Sequence, residues 1–126
     1  MKLIKIDQNN LSSPSESITM CLGYFDGVHL GHRQIIHQAV REGEYDLGIL
    51  TFDVPVSSLL DNNKSKEVLT SLDDRFKTVE RLGIDYFFVM HIDKEFLNIE
   101  AEEFIALLKK LNVIKKMDLL DLMKMV

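Results

Sequence analysis

The stretch ITMCLGYFDGVHLGHRQIIHQAVREGEYDLGILTF, residues 18–52, decides the fold. Residues 18–25 are almost continuously apolar and end at Asp26-Gly27, the pattern of a strand buried on both faces. Ile35, Ile36, Ala39 and Val40 then recur with helical spacing, and Gly43 stands where a helix would stop, so a helix is predicted over about 31–42. Residues 46–52, DLGILTF, read as a second buried strand. Strand, glycine-containing turn, helix and strand within about 35 residues make a βαβ unit, whose right-handed crossover lays the helix across one face of a parallel sheet.

The same logic extends outward. LIKI at 3–6 alternates as a short strand, and the polar 7–17 reads as a loop. The long polar stretch 53–70 is expected to be a flap, since a connection of that length in a small domain usually serves function. Ser71 is an N-cap candidate for a helix carrying Leu72, Phe76, Val79 and Leu82 on one face, with Asp73 and Asp74 in its first turn and Gly83 at its end. YFFVM at 86–90 reads as a third buried strand. Asn98 then caps a helix whose Phe104, Leu107, Leu108 and Leu111 share a face. Alternation of this kind predicts an α/β fold with a mostly parallel sheet and helices on both faces.

Composition narrows the class. The chain has 126 residues, a net charge of −5, 46% apolar and 28% charged residues, which suits one compact domain. A domain of this size buries roughly two-thirds of its unfolded surface and needs no staples, and the single Cys21 offers no intrachain disulfide, which fits a reducing, cytoplasmic setting. No apolar run approaches the ~18 residues of a membrane span, and the opening MKLIKIDQNN lacks a signal-peptide core, so mature protein is expected. A pI near 5.3 argues against a broad nucleic-acid surface, while a small site can still hold phosphate.

The candidate site is GYFDGVHLGH, residues 23–32, at the turn from the first buried strand into the first helix. Ligands of open α/β sheets bind outside the carboxyl ends of the strands, where a helix start offers unpaired N–H groups and a positive dipole end. Phosphate suits that place. Gly23, Gly27 and Gly31 permit sharp turns or close backbone approach, and His29 and His32, three residues apart, can face one side of the first turn. Two such histidines are otherwise ordinary surface groups. A zinc site would need a third and usually a fourth ligand, yet no HExxH or CxxC is present, His37 is expected to face solvent, and no residue is assigned to a metal. Arg75 and Lys77 are expected on the solvated face of their helix, and His91 at a strand-end loop.

GYFDGVHLGHRQII resembles the first signature of bacterial FAD synthetases, the FMN adenylyltransferase module of the bifunctional riboflavin kinase/FAD synthetase family, and HLGH is similar to the HxGH motif of the wider nucleotidyltransferase superfamily. LTF at 50–52, LTSLDDRFKTVERLGIDYFFVM and FLNIEAEEFI resemble the family's later segments in order, so the likeness runs to about Val113. The resemblance implies a Rossmann-like nucleotidyltransferase fold and transfer of AMP from ATP to FMN, giving FAD and pyrophosphate with Mg²⁺ assisting. It assigns His29 and His32 to the ATP phosphates as the catalytic pair and Gly31 to close backbone approach. It assigns Gly23, Tyr24, Phe25 and Asp26 to the nucleotide-facing wall, and Thr51, Phe52 and Asp53 to the site border. Asp26 can instead cap the turn, and Phe52 can be simply buried at a strand end.

The sequence also departs from the family. A TFxPHP-like segment reads TFDVPV at 51–56, so the histidine is missing and Pro55 is left as the flavin-side candidate. Beyond Val113 no further apolar strand, Gly/Phe/Asp-rich loop or ISSTxxR-like segment is read, and no riboflavin kinase activity is expected of these 126 residues. The expected division is therefore a partial nucleotidyltransferase domain at 1–113 and a divergent apolar tail at 114–126. Leu119, Leu120, Leu122, Met123 and Met125 make that tail a candidate to cover a sheet edge or to pair with a second copy. Two rival functions are a nucleotide-binding remnant without catalysis and adenylyl transfer to another small phosphorylated acceptor.

Overall fold

The structure, a computed structural model, describes residues 1–22, 34, 36–38, 40, 41, 43–54, 59 and 71–117. Among them, strands β1 (Lys2–Ile6), β2 (Ile18–Leu22), β3 (Asp46–Phe52), β4 (Tyr86–Met90) and β5 (Val113–Met117) form one sheet in the order β1-β4-β3-β2-β5. Every pairing is parallel. Residues 34, 36–38, 40 and 41 are helical, followed by α1 (Leu72–Glu80), a short 3₁₀ turn (Phe96–Asn98) and α2 (Ala101–Lys110).

The order explains which face each helix takes. From β2 to β3 to β4 the chain steps one way along the sheet, so right-handed crossovers lay both connections on one face. There Ile36 and Val79 pack with Cys21, Ile49, Phe87 and Val89. From β4 to β5 the chain steps back past β3 and β2, and the same handedness puts α2 on the other face. Leu108 and Leu111 there join Ile18, Met20, Leu50, Phe88 and Met90. The reversal lies between β2 and β5, so the switch point where such sheets take ligands opens at the carboxyl ends of those two strands.

Local signals set most boundaries. Ser71 Oγ accepts a hydrogen bond from the Asp74 N–H at 3.1 Å and caps α1 as its sequence suggests. Gly43 and Gly83 adopt φ of +56° and +84° after their helical segments, the left-handed conformation that glycine reaches without a Cβ clash. The strands at 46–52 and 86–90 fall where they were expected.

Four expectations need correction or lie beyond view. Val113–Met117 is a strand, although none was read after Val113; it pairs with β2 through a register shift between Ile18 and Thr19. The VIKKM sequence hides it because two lysines interrupt the apolar pattern, and an edge strand tolerates them. Asn98 does not cap α2. It ends the 3₁₀ turn, Ile99 turns extended, and Glu100 holds the N-cap position without a side-chain bond. Val40, expected in the apolar stripe, is 44% exposed, although it lies one helical turn beyond the buried Ile36. Residues 23–25 of the expected first buried strand, most of the 53–70 stretch and residues 118–126 of the expected tail lie outside the described residues, while 114–117 of that tail belong to β5.

Candidate functional site

The carboxyl edge of the sheet is where the strand ends of β3 and β4 present polar side chains. Thr51, Val89 and Lys5 occupy one row of the ladder, across β3, β4 and β1. Side chains alternate along a strand, so Thr51 shares the α1 face with Ile49. Arg75, in the first turn of α1, reaches that row: its guanidinium NH1 donates to Thr51 Oγ1 at 2.8 Å and to the Phe52 carbonyl at 3.4 Å. Both residues are buried, with Arg75 only 2% exposed.

Arg75 is therefore not on the solvated face of its helix, and the earlier expectation is corrected. A signal was present. Arg75 follows Leu72 by three residues and precedes Val79 by four, which places it on the stripe that α1 buries. Lys77, by contrast, is exposed and pairs with Asp73 at 3.1 Å along the helix.

Two residues further out stand Asp53, just past β3, and His91, just past β4. The Asp53 N–H donates to the Met90 carbonyl at 3.0 Å and the His91 N–H to the Ile6 carbonyl at 2.8 Å, so the ladder continues through both residues. Asp53 Oδ2 meets His91 Nδ1 at 2.6 Å, and Asp53 Oδ1 accepts the Ile92 N–H at 3.2 Å. This carboxylate ties the end of β3 to that of β4. The bond from Asp53, then its charge, raise the His91 pKa above the ordinary imidazole value; slight desolvation opposes this, and Asp93 and Asp7 add to it. His91 remains open to solvent, its side chain 63% exposed.

On the other face, Phe52, the last residue of β3, is half-buried rather than fully buried. Its ring meets Phe96 edge-on at 5.7 Å, and Phe96 meets Phe104 at 6.2 Å. With Leu97, Ile99 and the start of α2 these rings line an apolar hollow of about 270 Å³ at the carboxyl edge. A larger hollow of about 390 Å³ lies between Gln8, Asn9, Glu95, Asn98 and Glu103. Its lining carries amides and carboxylates and no cationic side chain, which suits phosphate poorly.

Of the residues singled out by sequence, the structure brings Thr51, Phe52 and Asp53 to this edge. Gly23, Tyr24, Phe25, Asp26, His29, Gly31 and His32 lie outside the described residues, as does Pro55. They follow Leu22, which ends β2 beside the switch point. His37 is exposed, as expected. Cys21 is fully buried, and burial pushes its thiol pKa up to about 12, so it is a core residue and not a nucleophile. Among the described residues no three His, Cys, Asp or Glu side chains stand together as a metal site, and no helix is long and apolar enough to cross a membrane.

A parallel sheet with helices on both faces, a switch point beside its second strand and polar groups along the carboxyl edge defines an α/β fold of the nucleotidyltransferase type. The family model described as FAD synthetase matches residues 11–117, and the chain belongs to that family. It is 36% identical over 90 residues to the bifunctional riboflavin kinase/FMN adenylyltransferase of Bacillus subtilis, covering 68% of this chain and 28% of that one. With the protein of the same name from Escherichia coli it shares 30% identity over 118 residues, 90% of this chain and 38% of that one. The chain thus spans well under half the length of these relatives. A solved structure of a macrolide-efflux protein from Streptococcus pneumoniae superposes with a TM-score of 0.79 at 25% identity, over 94% of this chain and 41% of that one.

Proposed function

We propose that the chain carries FMN adenylyltransferase chemistry: an oxygen of the FMN phosphate attacks the α-phosphorus of ATP, the bond from that phosphorus to the bridging oxygen breaks, and pyrophosphate leaves as FAD forms. The observation that carries the reading is the position of GYFDGVHLGH in the chain, directly after β2 at the switch point of an all-parallel sheet. In this reading His29 and His32 donate to the ATP phosphates, Gly31 permits close backbone approach, and residues 23–26 form the nucleotide wall. The hollow between Phe52, Phe96 and Phe104 is flat-sided and apolar and suits the flavin ring.

Mg²⁺ supplies charge neutralisation on the phosphates. It is proposed to enter as part of MgATP. Thr51 and Arg75 hold the floor of the edge, and Asp53 sets its rim. The setting proposed is the cytosol, where the buried Cys21 stays reduced. Any self-association is proposed to use the outer sheet edges, β1 and β5 among the described strands.

The test is chromatographic detection of FAD formed from FMN and MgATP by the purified full chain, with His32→Ala beside it. FAD formation that falls roughly 10²–10³-fold in the variant supports the reading, since that is the usual cost of losing one transition-state donor. ATP binding by a folded chain that makes no FAD overturns catalysis and favours the binding remnant. Adenylyl transfer to another phosphorylated acceptor, with FMN inert, overturns the acceptor alone.

A further inference from the structure

The histidine pair is absorbed by the proposed function, but His91 is not. Its row on the carboxyl edge reads Asp7, His91, Asp53 across β1, β4 and β3, each one residue past the described ladder. Asp93 follows two residues later. Two of the three carboxylates already accept backbone bonds away from His91: Asp7 Oδ1 from the Asn9 N–H at 2.8 Å and Asp93 Oδ1 from the Phe96 N–H at 2.9 Å. Asp53 is the one bonded to the imidazole. Two rows beneath stand Thr51, which Arg75 of α1 is buried against, and Lys5 on β1. Among the described residues His91 is thus a titratable base set within a rim of three carboxylates, at the carboxyl edge of the sheet.

We propose that His91 is a positioning residue for phosphate-bearing ligands, which acts by neutralising the carboxylate rim, chiefly Asp53, and so admits anions to the carboxyl edge. The inference rests on the function proposed above. It requires no contact between His91 and the ligand. Coulomb attraction at a partly solvated rim is large enough to matter: removing one charge several ångströms from a phosphate changes affinity by about five- to tenfold. The Asp53 bond keeps the imidazole protonated to higher pH than an isolated histidine, so the admitting state persists towards neutrality and fades as pH rises further.

The test is calorimetric titration of the full chain with MgATP and, separately, with FMN, between pH 7 and 9. Phosphate monoesters, with a second pKa near ~6, change their own charge little in that range. Riboflavin, which lacks the phosphate, serves as the uncharged control. His91→Ala is expected to weaken binding of the affected phosphate ligand about five- to tenfold at pH 7 and leave riboflavin unmoved. Wild-type affinity should fall towards the variant's by pH 9. The double variant His91→Ala/Asp53→Asn restores the net charge of the rim and should regain affinity. Which of the two ligands responds identifies whose phosphate passes the rim.

Equal affinities of wild type and His91→Ala at pH 7 overturn the inference while leaving the proposed function standing. A double variant as weak as the single one overturns neutralisation and points to direct contact. A folded wild-type chain that binds neither phosphate ligand overturns the function and this role together.

Discussion

Two polar pairs are built on residues two apart in the chain, Thr51 within β3 and Asp53 just past its end, yet they do different work. Thr51 with Arg75 is buried, and the guanidinium is closed off from solvent. Asp53 with His91 is at the rim, its imidazole largely in water. Both join a side-chain nitrogen to an oxygen across elements distant in sequence. Burial decides what each can be. A buried polar group costs free energy whenever its partner is lost, so the inner pair fixes where α1 docks on β3. A solvated pair costs little to form or break, so the outer pair is free to respond to protons and ligands.

The sharpest way to break that contrast is Arg75→Ala. It removes a side chain that fills space between α1 and β3 and takes the donor from Thr51 and from the Phe52 carbonyl. The expected loss is about 2–4 kcal/mol, the sum of a cavity and of acceptors left without their bond in a buried place. Urea unfolding followed by circular dichroism measures it, and a loss below about 1 kcal/mol would mean that the guanidinium is not the anchor described here.

A smaller effect is expected from Thr51→Val, which keeps the shape and deletes only the hydroxyl oxygen. Arg75 NH1 retains the Phe52 carbonyl at 3.4 Å, a long bond that compensates in part. The expected cost is about 1–2 kcal/mol in the same unfolding measurement. A variant as stable as wild type would show that the 2.8 Å bond contributes nothing net, and the inner pair would then resemble the outer one.

The same contrast explains what the sequence revealed. Continuous apolar runs announced β2, β3 and β4, and Ser71, Asp73, Asp74 and Gly83 marked both ends of α1, because these are local signals that burial and capping impose directly. VIKKM did not announce β5, since its place depends on pairing with a strand some 95 residues earlier and not on its own pattern. The site divided in the same way. The stretch 23–32 was read as a phosphate-binding turn from its glycines, its histidine spacing and its position after a buried strand, and it lies outside the described residues. Arg75 to Thr51 and His91 to Asp53 are separated by 24 and 38 residues, and only the parallel register brings them together. Helical spacing did place Arg75 inward, but a charged residue on an apolar stripe is outweighed by the general rule that arginines face water.

The smallest expected effect belongs to the outer pair and is one of sign. His91 has its pKa raised in the folded chain, so the folded state binds its proton more tightly than the unfolded state does. Its contribution to stability is therefore full below the unfolded imidazole pKa and is lost as pH rises through the higher folded value. In wild type minus His91→Ala, the stability difference should be positive at mildly acidic pH and should shrink towards zero at pH 9. Thermal unfolding of both chains across that range measures it. A difference that stays constant with pH would reveal a packing role with no titrating bond, while one that grows with pH would mean that the neutral imidazole is the form the rim prefers. In either case the outer pair would be set in place as the inner pair is, and the distinction drawn from burial would fail at the position where solvent is most accessible.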